Sequence, residues 1–583
     1  MHRRHAGIWV VLLFTLAPTY AQQAPGKEPS PTTLRAPTRA ELLRGEYGRY
    51  RANNDLMYYD LDVRIDPGKK WISGRNTMRF KMLKDDNRIQ LELFANLNVD
   101  RIVQGTRELK YTRDLNTIYI DFQETLRSGR TYAIEFHYSG APREIGRFDA
   151  LAFKTDPAGG HWINTANEGV GSSVWWPSKD QWRDEPDDGM DIRVAVPSPL
   201  VNVSNGRFIG KTDLGDGYTK WHYRVHYPIN SYNVSLNIAN YVHFGEMMGD
   251  LSLDYYVLPA NLEKAKKQFA QVKPMMEAFF KYFGEYPFKK DGFKLIEVPY
   301  SGMEHQSAVT YGNRFANGYL ERDWTGVGVS LKFDFIIIHE SAHEWFGNAV
   351  SAAEQSDMWI HEGWATYLEF LYVEAVFGYD DALKYANGYK SKIGNKEPII
   401  VQRGLARDPG QDMYFKGALF LHTLRSVVND LSRRSGDLSA VARSAKVEDA
   451  KADDGRWFKL VRDVYDHFKY RNIMTEELVA YINKQLGQDL TPIFDQYLRR
   501  TALPVLELTF NAADKLLWYR WKADERGFAM PVRVGDPAKW QTIQPGAEWK
   551  SMPWTQPRDQ FKVATDLYYI NVAILDERGH PQK

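Results

Sequence analysis

The chain has 583 residues, with 75 Lys and Arg against 74 Asp and Glu, a formal net charge of +1 and a pI near 7.8. So balanced a charge gives no reason to expect nucleic acid or an anionic membrane as a partner. There is no cysteine, which excludes disulfides and thiolate chemistry, and at roughly 150 residues per domain the length allows about four domains.

Met1-His2-Arg3-Arg4-His5 is basic, Gly7 to Ala17 is apolar, and Thr19-Tyr20-Ala21 ends on a small residue. Residues 1–21 therefore read as a secretory signal peptide, with the mature chain starting at Gln22. The apolar run is too short to span a bilayer and no second span is evident, so no integral membrane contact is expected after cleavage. An exported chain without disulfides fits a bacterial periplasm or medium. Residues 22–47 read as a linker and lead-in, rich in Pro, Thr and Ser up to Pro37.

An N-terminal all-β domain is expected over residues 48–247. Tyr59, Leu61, Val63 and Ile65 alternate with Asp60, Asp62 and Arg64, and Asp66-Pro67-Gly68 supplies a turn. Met78, Phe80 and Met82 repeat the pattern, as do Tyr132, Ile134, Phe136 and Tyr138. A catalytic domain, α+β and mostly helical, is expected over residues 248–498. It opens with Leu262, Ala265, Phe269, Val272, Met276, Phe279 and Phe283 at helical spacing, stopped by Gly284. The polar stretch 433–455 reads as a solvated insertion or loop. Residues 499–583 alternate again at Leu506, Leu508 and Phe510 and from Val563 to Val572, which predicts a small C-terminal β-sandwich.

The chemistry concentrates in four segments of the central region and one upstream. His339-Glu340-Ser341-Ala342-His343 follows an apolar helical run from Leu331 to Ile338. Two imidazoles four residues apart on a helix share a face and can hold one Zn²⁺, with Glu340 directed at the open metal position. Glu362, in a second predicted helix, follows His343 after 18 intervening residues and completes a His₂Glu donor set. Its neighbours His361 and Glu369 match no ligand spacing and are expected as exposed helical side chains. Ser301-Gly302-Met303-Glu304-His305, Tyr414-Phe415-Lys416-Gly417-Ala418 and the Gly-rich Asn167-Glu168-Gly169 stretch before Pro177 complete the set.

Together these segments resemble the gluzincin zinc aminopeptidase family, the superfamily of aminopeptidase N and leukotriene-epoxide hydrolase. The first is similar to H-E-x-x-H-x-W-F-G-N through Asn348, and the second to W-x-N-E-G-F-A-x-Y with His361 for Asn and Trp364 for Phe. The others are similar to G-x-M-E-N, with Ser301 for Gly and His305 for Asn, to Y-x-K-G-A, and to Q-x-E-x(8)-P with Ala166 for Gln. The resemblance implies a thermolysin-like catalytic domain with one Zn²⁺ on His339, His343 and Glu362. It implies that Glu340 acts as general base on a zinc-held water and that Tyr414 donates to the oxyanion. Gly302 and Met303 would line the substrate, while Glu304 and Glu168 would bind the α-ammonium of a peptide with a free N-terminus. The family position of His305 is not a ligand. With the few residues that follow the catalytic domain, the family's large C-terminal helical domain is not expected here. The expected function is N-terminal residue hydrolysis; a zinc endopeptidase, an epoxide hydrolase or an inactive peptide-binding module are the alternatives.

Overall fold

A computed structural model describes residues 36–432, 454–511 and 515–576. The predicted signal peptide, nearly all of the stretch 22–37 and residues 433–453 of the predicted polar insertion lie outside them. From Arg39 onward the chain forms one compact unit.

The N-terminal region is all β. Asn54–Asp66 and Trp71–Met82 form the centre of an eight-stranded sheet, pairing antiparallel from Asn54↔Met82 to Asp66↔Trp71. The alternation Tyr59, Leu61, Val63 and Ile65 is buried as its period dictates, each at 1% exposure or less. A three-stranded and a four-stranded sheet pack beside it around one shared core.

The next sheet carries the site. Val242–Met248, Leu251–Val257, Phe293–Glu297, Val309–Tyr311 and Gly302–Met303 form five strands in that spatial order, with Gly302–Met303 at the edge, antiparallel to its neighbour. The helical stripe that opens the catalytic region is broken. Leu262–Gln268 and Val272–Phe283 are separated by a 3₁₀ turn at Phe269–Gln271. Pro274 explains the break, since its ring would clash with the carbonyl four residues back and it offers no N–H to continue the ladder. The positive φ of Gly284, 90°, then ends the second helix as its position predicts.

Three helices supply the chemistry: the histidine helix Phe335–Ala342, the glutamate helix Trp359–Phe377 and the tyrosine helix Asp412–Ser432. The glutamate helix is buried on every side over its first fifteen residues, Trp359 to Val373. The C-terminal region forms a four-stranded and a three-stranded sheet. There the stretch Val563 to Val572 contributes only the ends of two strands, Lys562–Val563 and Asn571–Ile574. The residues between turn inward, and the Tyr568 hydroxyl donates to Asp430 of the tyrosine helix. No described helix is long and apolar enough to cross a membrane.

Candidate metal centre and active-site cavity

The histidine helix begins later than its apolar run. Ser330–Lys332 is a 3₁₀ turn, and Asp334 caps the helix by accepting from the N–H groups of Ile336 and Ile337. The same carboxylate accepts from Gln268, Tyr311 and Asn313, so the start of the helix is tied to the sheet. The helix ends at Ala342, and His343 sits at its C-cap with a helical φ of −60°. Gly347 allows the turn that follows: its φ is +132°, and a Cβ there would lie 2.9 Å from the His343 Nδ1. Phe346 stacks on Trp364 at 4.2 Å between centroids, docking this turn on the glutamate helix.

These contacts bring His339, His343 and Glu362 together with donor atoms within 4.8 Å of one another, all buried. The Glu362 Oε2 lies 3.3 Å from Nε2 of each histidine. Nδ1–H of His339 donates to Glu369 Oε1 at 2.7 Å, and Nδ1–H of His343 to the Phe346 carbonyl at 3.1 Å. Each ring thus turns an Nε2 lone pair toward the same point, as a metal ligand must. Two neutral imidazoles and a carboxylate fit Zn²⁺.

Glu369 is accordingly not the exposed helical side chain its sequence position implied. It is fully buried, and its second oxygen accepts from Tyr385 and Tyr389 at 2.6 and 2.7 Å. Seven residues separate it from Glu362, two helical turns, so both carboxylates share the face toward the histidines. His361 is buried as well: it stacks on Trp182 at 5.2 Å and its Nε2 accepts from the Ala352 N–H. In both cases burial of the whole helix overrides the polar character of the residue.

A cavity of about 300 Å³ opens onto this centre, and Gly302, Met303, Glu304, Glu340, Tyr414 and Glu168 all line it with His339 and Glu362. Gly302 permits the close approach, since a Cβ there would lie 2.6 Å from Ile336 Cγ2 and 3.1 Å from Glu340 Cγ. Burial raises the Glu340 carboxyl to about 7, with the charges of Glu304 and Glu362 adding to the rise and the histidines opposing it. Burial and the Glu362 charge hold the Tyr414 hydroxyl protonated, well above its ordinary range. Burial, and then Glu304, push the Glu168 carboxyl well above the usual carboxylate value, and its Oε1 has no hydrogen-bond partner.

Sequence reasoning did not find Tyr232, whose hydroxyl donates to Glu304 Oε1 at 2.8 Å, or Asp408, which also lines the cavity. Neither lies in a motif; only folding brings them in. Asn348 of the first motif donates to the Glu304 carbonyl at 2.7 Å, locking the strand end to the histidine turn. His305 is fully buried, stands apart from the metal donors and the cavity wall, and is pushed by burial to about 3, which keeps it neutral.

The chain matches the Peptidase M1 N-terminal domain over residues 56–233 and the Peptidase family M1 domain over residues 267–454. It is 21% identical to a leucyl aminopeptidase of Saccharolobus solfataricus over 334 residues, 55% of this chain and 39% of that protein. It is 24% identical to human endoplasmic reticulum aminopeptidase 1 over 335 residues, 54% of this chain and 34% of that protein. The chain thus spans well under half the length of these relatives. A crystal structure of an M1 zinc metallopeptidase mutant from Deinococcus radiodurans bound to a Tyr-Ser-Ala substrate superposes with a TM-score of 0.60 at 20% identity, covering 78% of this chain and 96% of the other. At that identity the likeness establishes the fold.

Proposed function

We propose that this chain, which belongs to the peptidase M1 family, is a zinc metallo-aminopeptidase that hydrolyses the N-terminal residue from peptides. One observation carries the reading: two buried carboxyl groups, Glu168 and Glu304, line the same cavity as the His₂Glu donor set, and among the described residues neither has an ion-pair partner. A peptide's α-ammonium is the cation that satisfies them, and it sets the scissile bond one residue away, over the metal donors. Relatives named aminopeptidases and a structural neighbour holding a tripeptide support it.

His339, His343 and Glu362 would hold the Zn²⁺, which when bound supplies Lewis-acid polarisation of the scissile carbonyl and acidifies water. The chain's own groups do the rest. Glu340, poised near neutrality, takes the proton of the attacking water and passes it to the leaving amine. The Tyr414 hydroxyl, held protonated, donates to the oxyanion as charge develops there. Glu304, oriented by Tyr232, and Glu168 fix the register. Gly302 keeps the strand close to the base, and Met303 lines the cavity beside it. Export through residues 1–21 belongs to the same proposal, supported by the basic start, the apolar run and Ala21; the intact mass of the secreted protein, starting at Gln22, tests it.

The decisive experiment compares one peptide, free and N-acetylated, with and without chelator, reading products by mass spectrometry. The free peptide should lose its first residue only when metal is present. Acetylation should abolish turnover, because the neutral amide brings no cation to Glu304 and Glu168, a loss of roughly several kcal/mol. Internal cleavage of the acetylated peptide at a comparable rate would overturn the reading in favour of an endopeptidase.

A further inference from the structure

The cavity has two ends of opposite character along the histidine helix. Glu304 belongs to the end beyond His343: its carbonyl accepts from Asn348, whose own N–H donates to the His343 carbonyl at 2.9 Å. The other end is aromatic. Phe335, one turn before His339, stacks on that ring with centroids 5.2 Å apart and planes 12° from parallel. Tyr319 stands edge-on to Phe335 at 5.4 Å, Trp324 lies 5.2 Å from Tyr319, and Phe415 lies 6.4 Å from Trp324 and stacks on Tyr389 at 5.0 Å. All five rings line the cavity. Phe415 and Tyr389 are buried, whereas Tyr319, Trp324 and Phe335 remain partly exposed. The Lys392 ammonium lies over the Trp324 ring, 4.7 Å from its centroid, and the partly exposed ring surface that remains lines a concave wall, the usual signature of a side-chain pocket.

We propose that this shelf receives the side chain of the substrate's second residue, so that the enzyme selects peptides with a large apolar, above all aromatic, residue there. The inference rests on the aminopeptidase reading. With the α-ammonium held at Glu304 and Glu168 and the scissile carbonyl over the metal donors, the leaving portion of the peptide runs past His339. Tyr414, whose ring lies 6.0 Å from His339, marks that side of the reacting carbonyl. The first side chain on the leaving portion then meets Phe335, Tyr319 and Trp324.

The test is a series of tripeptides Leu-X-Ala with X as Phe, Leu, Ala or Gly, following release of the first Leu, with N-acetyl-Leu-Phe-Ala alongside. kcat/KM should rise with the apolar area of X, Phe exceeding Gly by about tenfold or more. Trp324→Ala and Tyr319→Leu should each shrink the Phe-to-Gly ratio to below about threefold, with thermal midpoints recorded so that the ratio is read on folded protein. A flat series in the wild type, or a ratio unchanged in both variants, overturns the inference and leaves the aminopeptidase reading standing. Cleavage of the acetylated peptide overturns that reading and the inference with it.

Discussion

Burial raises the Glu340 carboxyl, the two imidazoles oppose the rise and the charges of Glu304 and Glu362 add to it, and a balance near 7 is what a base working at neutral pH needs. Replacing it with Gln removes the proton transfer and little else. Glu340→Gln should retain one zinc per chain by metal analysis and lose on the order of 10²-fold to 10⁴-fold in kcat; near-normal turnover would move the chemistry elsewhere. Glu369 acts one step further out, holding the His339 ring through Nδ1. Glu369→Ala leaves that N–H and two tyrosine hydroxyls without their acceptor, and zinc affinity measured by competition with a chelator should fall about 10-fold to 100-fold. The two histidines and the base were legible because four residues on a helix dictate their spacing, whereas Glu362 and Glu304 were read from the longer pattern and the motif of the family the chain resembles. Glu369 was equally regular at two turns from Glu362, but its polarity read as exposure because the sequence does not say that the helix is buried all round. Tyr232 and Asp408 carry no local signal, since the one reaches Glu304 from a 3₁₀ turn and the other the cavity from a loop, both far away in sequence.

At the scale of elements, the glutamate and tyrosine helices cross with nothing between them. A Cβ at Gly363 would lie 3.1 Å from the Met413 carbonyl oxygen, and one at Gly417 would lie 3.0 Å from the Gly363 Cα. Gly363 adjoins Glu362, and Gly417 is three residues from Tyr414, so this crossing sets the distance between a metal donor and the oxyanion donor. Gly417→Ala should push the helices apart by a few tenths of an ångström and lower kcat by about tenfold or more, while zinc content by metal analysis stays near one per chain. An unchanged kcat would show that the crossing tolerates the shift. Helix existence was legible from the apolar period, but not continuity: Pro274 divides a stripe whose spacing is unbroken from Leu262 to Phe283. Strand alternation failed similarly after Val563, where apolar residues serve docking onto the tyrosine helix rather than a ladder.

Over the whole molecule, the β region and the catalytic region meet at buried polar groups. Glu185 accepts from Asn472 at 2.7 Å, and Asn472 also donates to the Trp182 carbonyl at 2.8 Å. Burial raises the Glu185 carboxyl from 4.5 to about 7. Between those values the folded protein holds a proton that the unfolded chain has released, so this group's contribution falls as pH rises and is lost above about 7. At pH 8 the folded state then bears a buried carboxylate costing up to roughly 3 kcal/mol. Glu185→Gln should therefore be stabilising at pH 8 and near neutral at pH 4.5, read from urea midpoints at the two pH values; a larger stabilisation at the lower pH would reverse the assignment. The order of β, mixed and β regions was visible in the change of hydrophobic period along the chain, whereas contacts such as this one join residues 287 apart and leave no trace in it.

Glu168, whose Oε1 is buried without a hydrogen-bond partner, has a further consequence in proton accounting. Burial and then the Glu304 charge favour its protonated form. An arriving ammonium makes the charged form favourable, so binding of a free-amine ligand at neutral pH expels a proton to the buffer. The heat of binding an amino acid should then vary linearly with the buffer's ionisation enthalpy, with a slope approaching one proton released, and Glu168→Gln should flatten that line. Association would tighten as pH rises, until the ligand's own amine begins to lose its charge.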